Sequence, residues 1–168
     1  MSSTLEIIKR KILTWEQLQS QLMRWRLLSK KIVFTNGCFD LLHLGHVDYL
    51  AKAADLGDVL IVGLNSDSST KGLKGTHRPI NGQEQRSMLL ASLHYVSAVV
   101  LFDEPTPYDL IKLVQPDVLV KGGDYKAEEI VGYDIVKANK GQVITIGFLP
   151  GYSTSLIEEK IKKQAIKP

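Results

Sequence analysis

The 168-residue sequence has a single cysteine, Cys38, which excludes an internal disulfide framework and suits a reducing compartment. No apolar run approaches the roughly 20 residues that a membrane-spanning helix needs. The first ten residues mix polar and charged side chains and contain no apolar core of a signal peptide, so a cytoplasmic protein is expected. Strong charge of either sign is also missing. Twenty-one basic and 18 acidic residues leave a net charge of +3, too balanced to point to nucleic acid. Part of the excess falls at Lys160, Lys162, Lys163 and Lys167, where lysines complement the end of a last helix. There is no repeat and no low-complexity segment. What remains, 44% hydrophobic and 23% charged residues, describes one soluble domain with a core of its own.

Short apolar runs alternate with amphipathic stretches. Residues 32–35, 59–64, 96–102, 118–120 and 142–146 read as five strands, several apolar on both faces as buried parallel strands are. Helical patterns between them predict a doubly wound, mostly parallel α/β sheet with right-handed crossovers. Residues 1–28 divide into a loosely held lead-in to about residue 13 and an N-terminal helix; residues 29–168 form the main domain. Thr14 with Gln17 has the capping-box form that opens that helix, and Asn81 with Glu84 repeats it ahead of a later one. Trp15 and Trp25 stand at helical spacing beside leucines and read as packing residues. Thr106-Pro107 reads as another helix start.

The chemistry gathers where strands end. After the first strand comes the turn pair Asn36-Gly37, then Cys38-Phe39-Asp40 and His43-Leu44-Gly45-His46, immediately before a helix. In an open α/β sheet ligands bind at such a junction, and a helix N-terminus offers free N–H groups to phosphate. The second strand runs into a polar stretch carrying Lys71, Lys74, His77 and Arg78, expected as a mobile cationic loop. Arg86 falls early in the next helix, where the dipole disfavours a cation. It pairs either with an anionic ligand or with Glu84 at the surface. The fourth strand leads into Lys121-Gly122-Gly123-Asp124, and the last helix starts at Ser153-Thr154. No nucleophile has an activating partner: Ser153 lacks a Gly-x-Ser-x-Gly elbow, and Cys38 stands alone. That inventory suits direct displacement at phosphorus, in which the protein aligns reactants and neutralises developing charge.

The His43-Leu44-Gly45-His46 block, together with Asn65-Ser66-Asp67, Arg78-Pro79, Glu84-Gln85-Arg86, Lys121-Gly122-Gly123-Asp124-Tyr125 and Gly151-Tyr152-Ser153-Thr154-Ser155, resembles the cytidylyltransferase-like nucleotidyltransferases in order and spacing. Within that family it is most similar to the adenylyltransferases of heptose 1-phosphate. The resemblance implies ATP and a sugar 1-phosphate as substrates, Mg²⁺ carried on the triphosphate, no metal site of the protein's own, and a possible homodimer. It assigns His43, His46, Lys74 and Arg86 to catalysis. It assigns Thr35, Asn36, Gly37, Phe39, Gly45, Lys71, Lys121, Gly122, Gly123, Asp124, Ser153 and Thr154 to nucleotide binding. Which of Lys71 and Lys74 reaches the triphosphate stays open. CTP with an alcohol phosphate is the alternative within the family. Gly122-Gly123-Asp124-Tyr125 departs from the Gly-Asp-Asp-Trp of cytidylyltransferases, and no arginine precedes Ser153-Thr154 at 149–151. A transition metal held by the two histidines and a nucleotide-binding regulator without turnover are the remaining readings.

Overall fold

Alternation of apolar side chains along the central strands accounts for the architecture of the computed structural model, which describes residues 2–165. In strand β2 (Ile32–Gly37), Ile32 and Phe34 join one buried cluster while Val33 joins the other. In β3 (Val59–Asn65), Val59 and Ile61 face the first cluster; Leu60, Val62 and Leu64 face the second. Such strands must be covered on both sides, and helices do so. Helices α2 (Trp15–Leu27), α6 (Tyr108–Val114) and α7 (Tyr133–Ala138) supply Leu18, Leu22, Leu110, Ile111, Val114 and Val136 to one side. Helices α3 (Leu44–Ala54) and α5 (Gln83–Ser92) supply Tyr49, Leu50, Ala53, Leu90 and Ala91 to the other.

The sheet is parallel throughout. With β1 (Ile12–Leu13), β4 (Ala98–Phe102), β5 (Val118–Gly122) and β6 (Gln142–Ile146), its order is β1-β4-β3-β2-β5-β6. Five strands stand where the sequence places them, and β1 is a sixth. Two residues are too short to display a period, so β1 was invisible in the sequence; it pairs Ile12 with Val99 and Leu13 with Val100. The expected lead-in also contains helix α1 (Thr4–Lys9), capped reciprocally by Ser3 and Glu6.

Two further differences concern helices. The stretch expected as a mobile loop is helical as α4 (Asp67–Lys74), with the Ser66 hydroxyl accepting the Ser69 N–H. Its serines and Gly72 mask the helix in the sequence. Thr14 and Gln17 do form a capping box, but α5 is capped one residue later than expected. Gln85, not Glu84, accepts the Gly82 N–H, because the Asn81 side chain donates instead to the Asp40 carbonyl. Trp15 and Trp25 pack against the core, and the Trp15 indole N–H donates to the Leu101 carbonyl. The last helix, α8 (Thr154–Ala165), begins at the expected hydroxyl pair. Lys160, Lys162 and Lys163 lie on it, exposed, and Lys167 lies outside the described residues. Among the described residues no helix is long and apolar enough to cross a membrane.

Candidate functional site

The order of strands reverses between β2 and β5, because β2 connects onward to β3 on one side and β5 to β6 on the other. Ligands of open α/β sheets bind outside the carboxyl ends of strands at such a switch point. Here the crevice is widened by the backbone. β2 and β5 pair only at Val33 with Val118 and Phe34 with Leu119; their last residues diverge. Tyr49 of α3 fills the base of the wedge, its hydroxyl 2.6 Å from the Thr35 hydroxyl and donating to the Val120 carbonyl at 3.2 Å. Burial pushes the Tyr49 phenol up to about 12, so it stays a neutral bridge. Thr35, expected to touch nucleotide, is wholly buried in this brace and does not reach the cavity above it.

That cavity encloses about 570 Å³. Asn36, Gly37 and Phe39 come to it from the end of β2; His43, Gly45 and His46 from the start of α3; Lys121 and Gly122 from β5; Ser153 and Thr154 from α8. Tyr125, Phe148 and Tyr152 complete its wall; no role could be read for them from sequence, since single aromatics in loops have no pattern. Of the two candidate lysines Lys74, at the end of α4, lines the cavity and Lys71, a turn earlier, does not. Gly123 and Asp124 are also outside the lining. The Gly123 N–H is taken by the Ile146 carbonyl, and Asp124 is exposed.

His43 is the N-cap residue of α3 in extended conformation, and its ring makes no capping bond. The ring is therefore free to stack on His46, with centroids 3.8 Å apart and planes at 21°. Gly45 makes this possible: a Cβ there would lie 3.1 Å from the His43 ring and 3.2 Å from Tyr152 Cβ. Phe39 meets His46 edge to face at 5.2 Å. Nδ1 of each imidazole is buried without a hydrogen-bond partner, so the fold does not use up the hydrogen-bonding capacity of these rings.

Burial, then the neighbouring His43 and Lys74, lower the His46 pKa to about 4, although the Leu41 backbone acts in the opposite direction. Burial lowers that of His43 too. Both rings are neutral donors near pH 7, and the site's positive charge comes from lysine. Lys121 Nζ sits 3.4 Å from Asn36 Oδ1 with its pKa lowered by burial. No carboxylate lines the cavity. Among the described residues no group of three or more His, Cys, Asp or Glu side chains could hold a metal ion. The arrangement is one for an anion.

Arg86 is a correction. It reaches neither the cavity nor Glu84 but is 1% exposed beneath the site. Nε donates to the Asn81 carbonyl at 2.9 Å, Nη1 to the Cys38 and Asn65 carbonyls at 2.7 Å each, and Nη2 to Asp67 Oδ1 at 2.8 Å. It joins the ends of β2 and β3 to the starts of α4 and α5. Cys38 is a free, largely buried thiol that also lines the cavity. Asp40, unremarked in the sequence, is a second anchor. Burial opposes its ionised form, but the Arg78 guanidinium and the Asn81 and Ile80 amides outweigh burial and hold its pKa below the usual value.

These shifts share a sign. Because His46 protonates in the unfolded chain before the folded one, stability should be complete above about pH 6.5 and decline towards pH 4. The depressed Asp40 pKa adds stability that is present above 3.8 and lost as pH falls through its folded-state value. Urea midpoints followed by circular dichroism are expected to fall between pH 6.5 and 4, less steeply in His46→Gln. Equal slopes in the two proteins would contradict a buried neutral imidazole.

Known proteins resemble the chain in sequence and in fold. Residues 34–160 match the family model described as cytidylyltransferase-like. The chain is 55% identical over 152 residues to the bifunctional protein HldE of Wolinella succinogenes, covering 90% of this chain and 31% of that protein. It is 62% identical over 133 residues to HldE of Nitratiruptor sp., covering 79% and 28%. The chain thus spans about three tenths of the length of these curated relatives. Among solved structures, the lipopolysaccharide core biosynthesis protein of Thermoplasma volcanium superposes with a TM-score of 0.59 at 28% identity, over 71% of this chain and 97% of that one. A pantoate-beta-alanine ligase from Francisella tularensis shares the fold at a TM-score of 0.60 and 19% identity, over 92% and 78%. With a matching model across most of its length and its histidine pair at the sheet's switch point, the chain belongs to the cytidylyltransferase-like family.

Proposed function

We propose that the chain transfers the adenylyl group of ATP to a sugar 1-phosphate, D-glycero-β-D-manno-heptose 1-phosphate, releasing pyrophosphate and forming an ADP-heptose for lipopolysaccharide core biosynthesis. The observation that carries the reaction type is the stacked, neutral His43–His46 pair lining a cavity that holds two lysines and no carboxylate. The HldE relatives and the Thermoplasma protein named for lipopolysaccharide core biosynthesis support the choice of acceptor. The cytoplasm and a homodimeric assembly belong to the same reading.

In this mechanism an oxygen of the sugar phosphate attacks the α-phosphorus as the bond to pyrophosphate breaks. The acceptor is already ionised near neutral pH, so no general base is needed. The two imidazoles donate hydrogen bonds to the phosphoryl oxygens on which charge builds. Being preorganised and neutral, they stabilise that charge without a salt-screened counterion. Lys74 holds the outer phosphates, Lys121 draws the nucleotide against β5, and Ser153 and Thr154 meet phosphate at the start of α8. Any Mg²⁺ would be held by the triphosphate's own oxygens, where it would offset phosphate charge, since the lining offers it no carboxylate.

Pyrophosphate release measured with ATP and with CTP, across a panel of sugar 1-phosphates and glycerol 3-phosphate, tests the proposal. Turnover is expected with ATP and a heptose 1-phosphate. Preference for CTP would replace the reading with a cytidylyltransferase, and nucleotide binding without exchange of pyrophosphate would make the chain a regulator. Lys121→Ala should weaken ATP binding by roughly tenfold, the equivalent of one charge-assisted hydrogen bond. Unchanged affinity by calorimetry would remove Lys121 from the nucleotide site.

A further inference from the structure

Helix α8 walls one side of the cavity, yet little holds it there. None of its described side chains belongs to either buried cluster, and none of them is fully buried. The segment that leads to it contains Gly147 and Gly151, each in open space, the second at φ +84°. Even so, Ser153, Thr154 and Leu156 line the cavity. Among the described residues one polar contact ties α8 to the rest of the protein, the ion pair between Glu158 and Arg78.

Arg78 is itself fixed from behind. Its Nη1 donates to Asp40 Oδ2 at 2.8 Å, and the Asp40 side chain is fully buried. Asp40 Oδ1 accepts the Ile80 and Asn81 N–H groups at 2.7 and 3.1 Å. These backbone bonds keep Asp40 in place whether or not α8 is docked. Of the two arms of the guanidinium, the one on Glu158 is therefore the one that can let go. Arg78 follows α4, which carries Lys74, and Asp40 precedes the loop to His43. One guanidinium thus joins three segments that build the cavity.

We propose that Glu158 is a positioning residue for the nucleotide: through Arg78 it clasps α8 to the segment that follows Lys74 of α4 and to the one that leads to His43, so that Ser153 and Thr154 stand in place before the triphosphate arrives. The nucleotide part of this inference rests on the function proposed above; the clasp itself does not. Arg78 and Glu158 are 21% and 25% exposed, which shields the pair from solvent more than a free surface pair. A planar guanidinium preset by Asp40 also loses little freedom in binding Glu158.

The full-length chain with Glu158→Ala, Glu158→Gln and, as a control on the exposed side of α8, Lys160→Ala provides the test. Amide exchange followed by mass spectrometry should rise roughly tenfold across residues 148–160 in Glu158→Ala without nucleotide. The KM for ATP should rise about five- to tenfold with kcat within about twofold, the pattern of lost ground-state positioning. Glu158→Gln, which keeps an acceptor for Arg78, should fall between, and Lys160→Ala should match the parent. Unchanged exchange in Glu158→Ala would overturn the clasp. Raised exchange with an unchanged KM would overturn the positioning role. If the parent chain shows no adenylyl transfer, the proposed reaction fails instead. ATP-induced protection of 148–160, expected in the parent and lost in Glu158→Ala, then decides the positioning role, and equal protection in both overturns it.

Discussion

Replacing His46 by alanine is expected to lower kcat for adenylyl transfer by roughly 10²- to 10³-fold, the usual cost of deleting one preorganised donor to a developing oxyanion. The size of the effect follows from the site. The ring is held between His43 and Phe39, so its direction is set before substrate binds. With its pKa near 4 it donates as a neutral imidazole and needs no proton from solution. His46→Gln keeps an N–H donor on a longer, unstacked side chain and should recover only part of the loss. ATP affinity should change far less than kcat in both variants, because the proposed bond tightens in the transition state. A folded His46→Ala protein with nearly normal turnover would remove the imidazole pair from the chemistry.

Arg86→Ala is expected to produce the largest loss of stability, about 3 kcal/mol or more, seen as a Tm lowered by roughly 10 °C in a domain of this size. The substitution leaves the Cys38, Asn65 and Asn81 carbonyls without their donor and Asp67 without its cation. Each unpaired buried acceptor costs about 1–3 kcal/mol. Arg86→Lys should rescue little, since one ammonium cannot serve acceptors lying on four segments. Calorimetric Tm values of both variants within 2–3 °C of the parent would mean that water or a neighbour takes over these bonds, and the framework role would fall.

Arg86 also shows where sequence reading stops. Its position in the first turn of α5 singles it out as a cation in need of a partner, and that much is correct. The partners are backbone carbonyls at the ends of β2 and β3, which exist as a cluster only once the sheet has formed. Thr35 fails for the same reason, since nothing in Asn36-Gly37 reveals that the preceding hydroxyl points down to Tyr49. By contrast, strands apolar on both faces announce a parallel sheet directly, and the Thr14–Gln17 cap was legible because both partners lie within one turn. The histidine block was legible as well, because a helix start fixes the geometry of residues three apart. Lys71 and Lys74 could not be separated while their stretch read as a loop; on α4 they stand a turn apart, and the one at the helix end lines the cavity.

The early parting of β2 from β5 has a consequence for how such a protein can diversify. The groove exists because two strands separate, not because large side chains have been trimmed away. Residues at its outer edge, such as Tyr125, Phe148 and Tyr152, are at least two-fifths exposed and bear little of the core. Exchanging them can reshape the mouth of the groove while the hydrogen-bonded scaffold underneath stays unaltered.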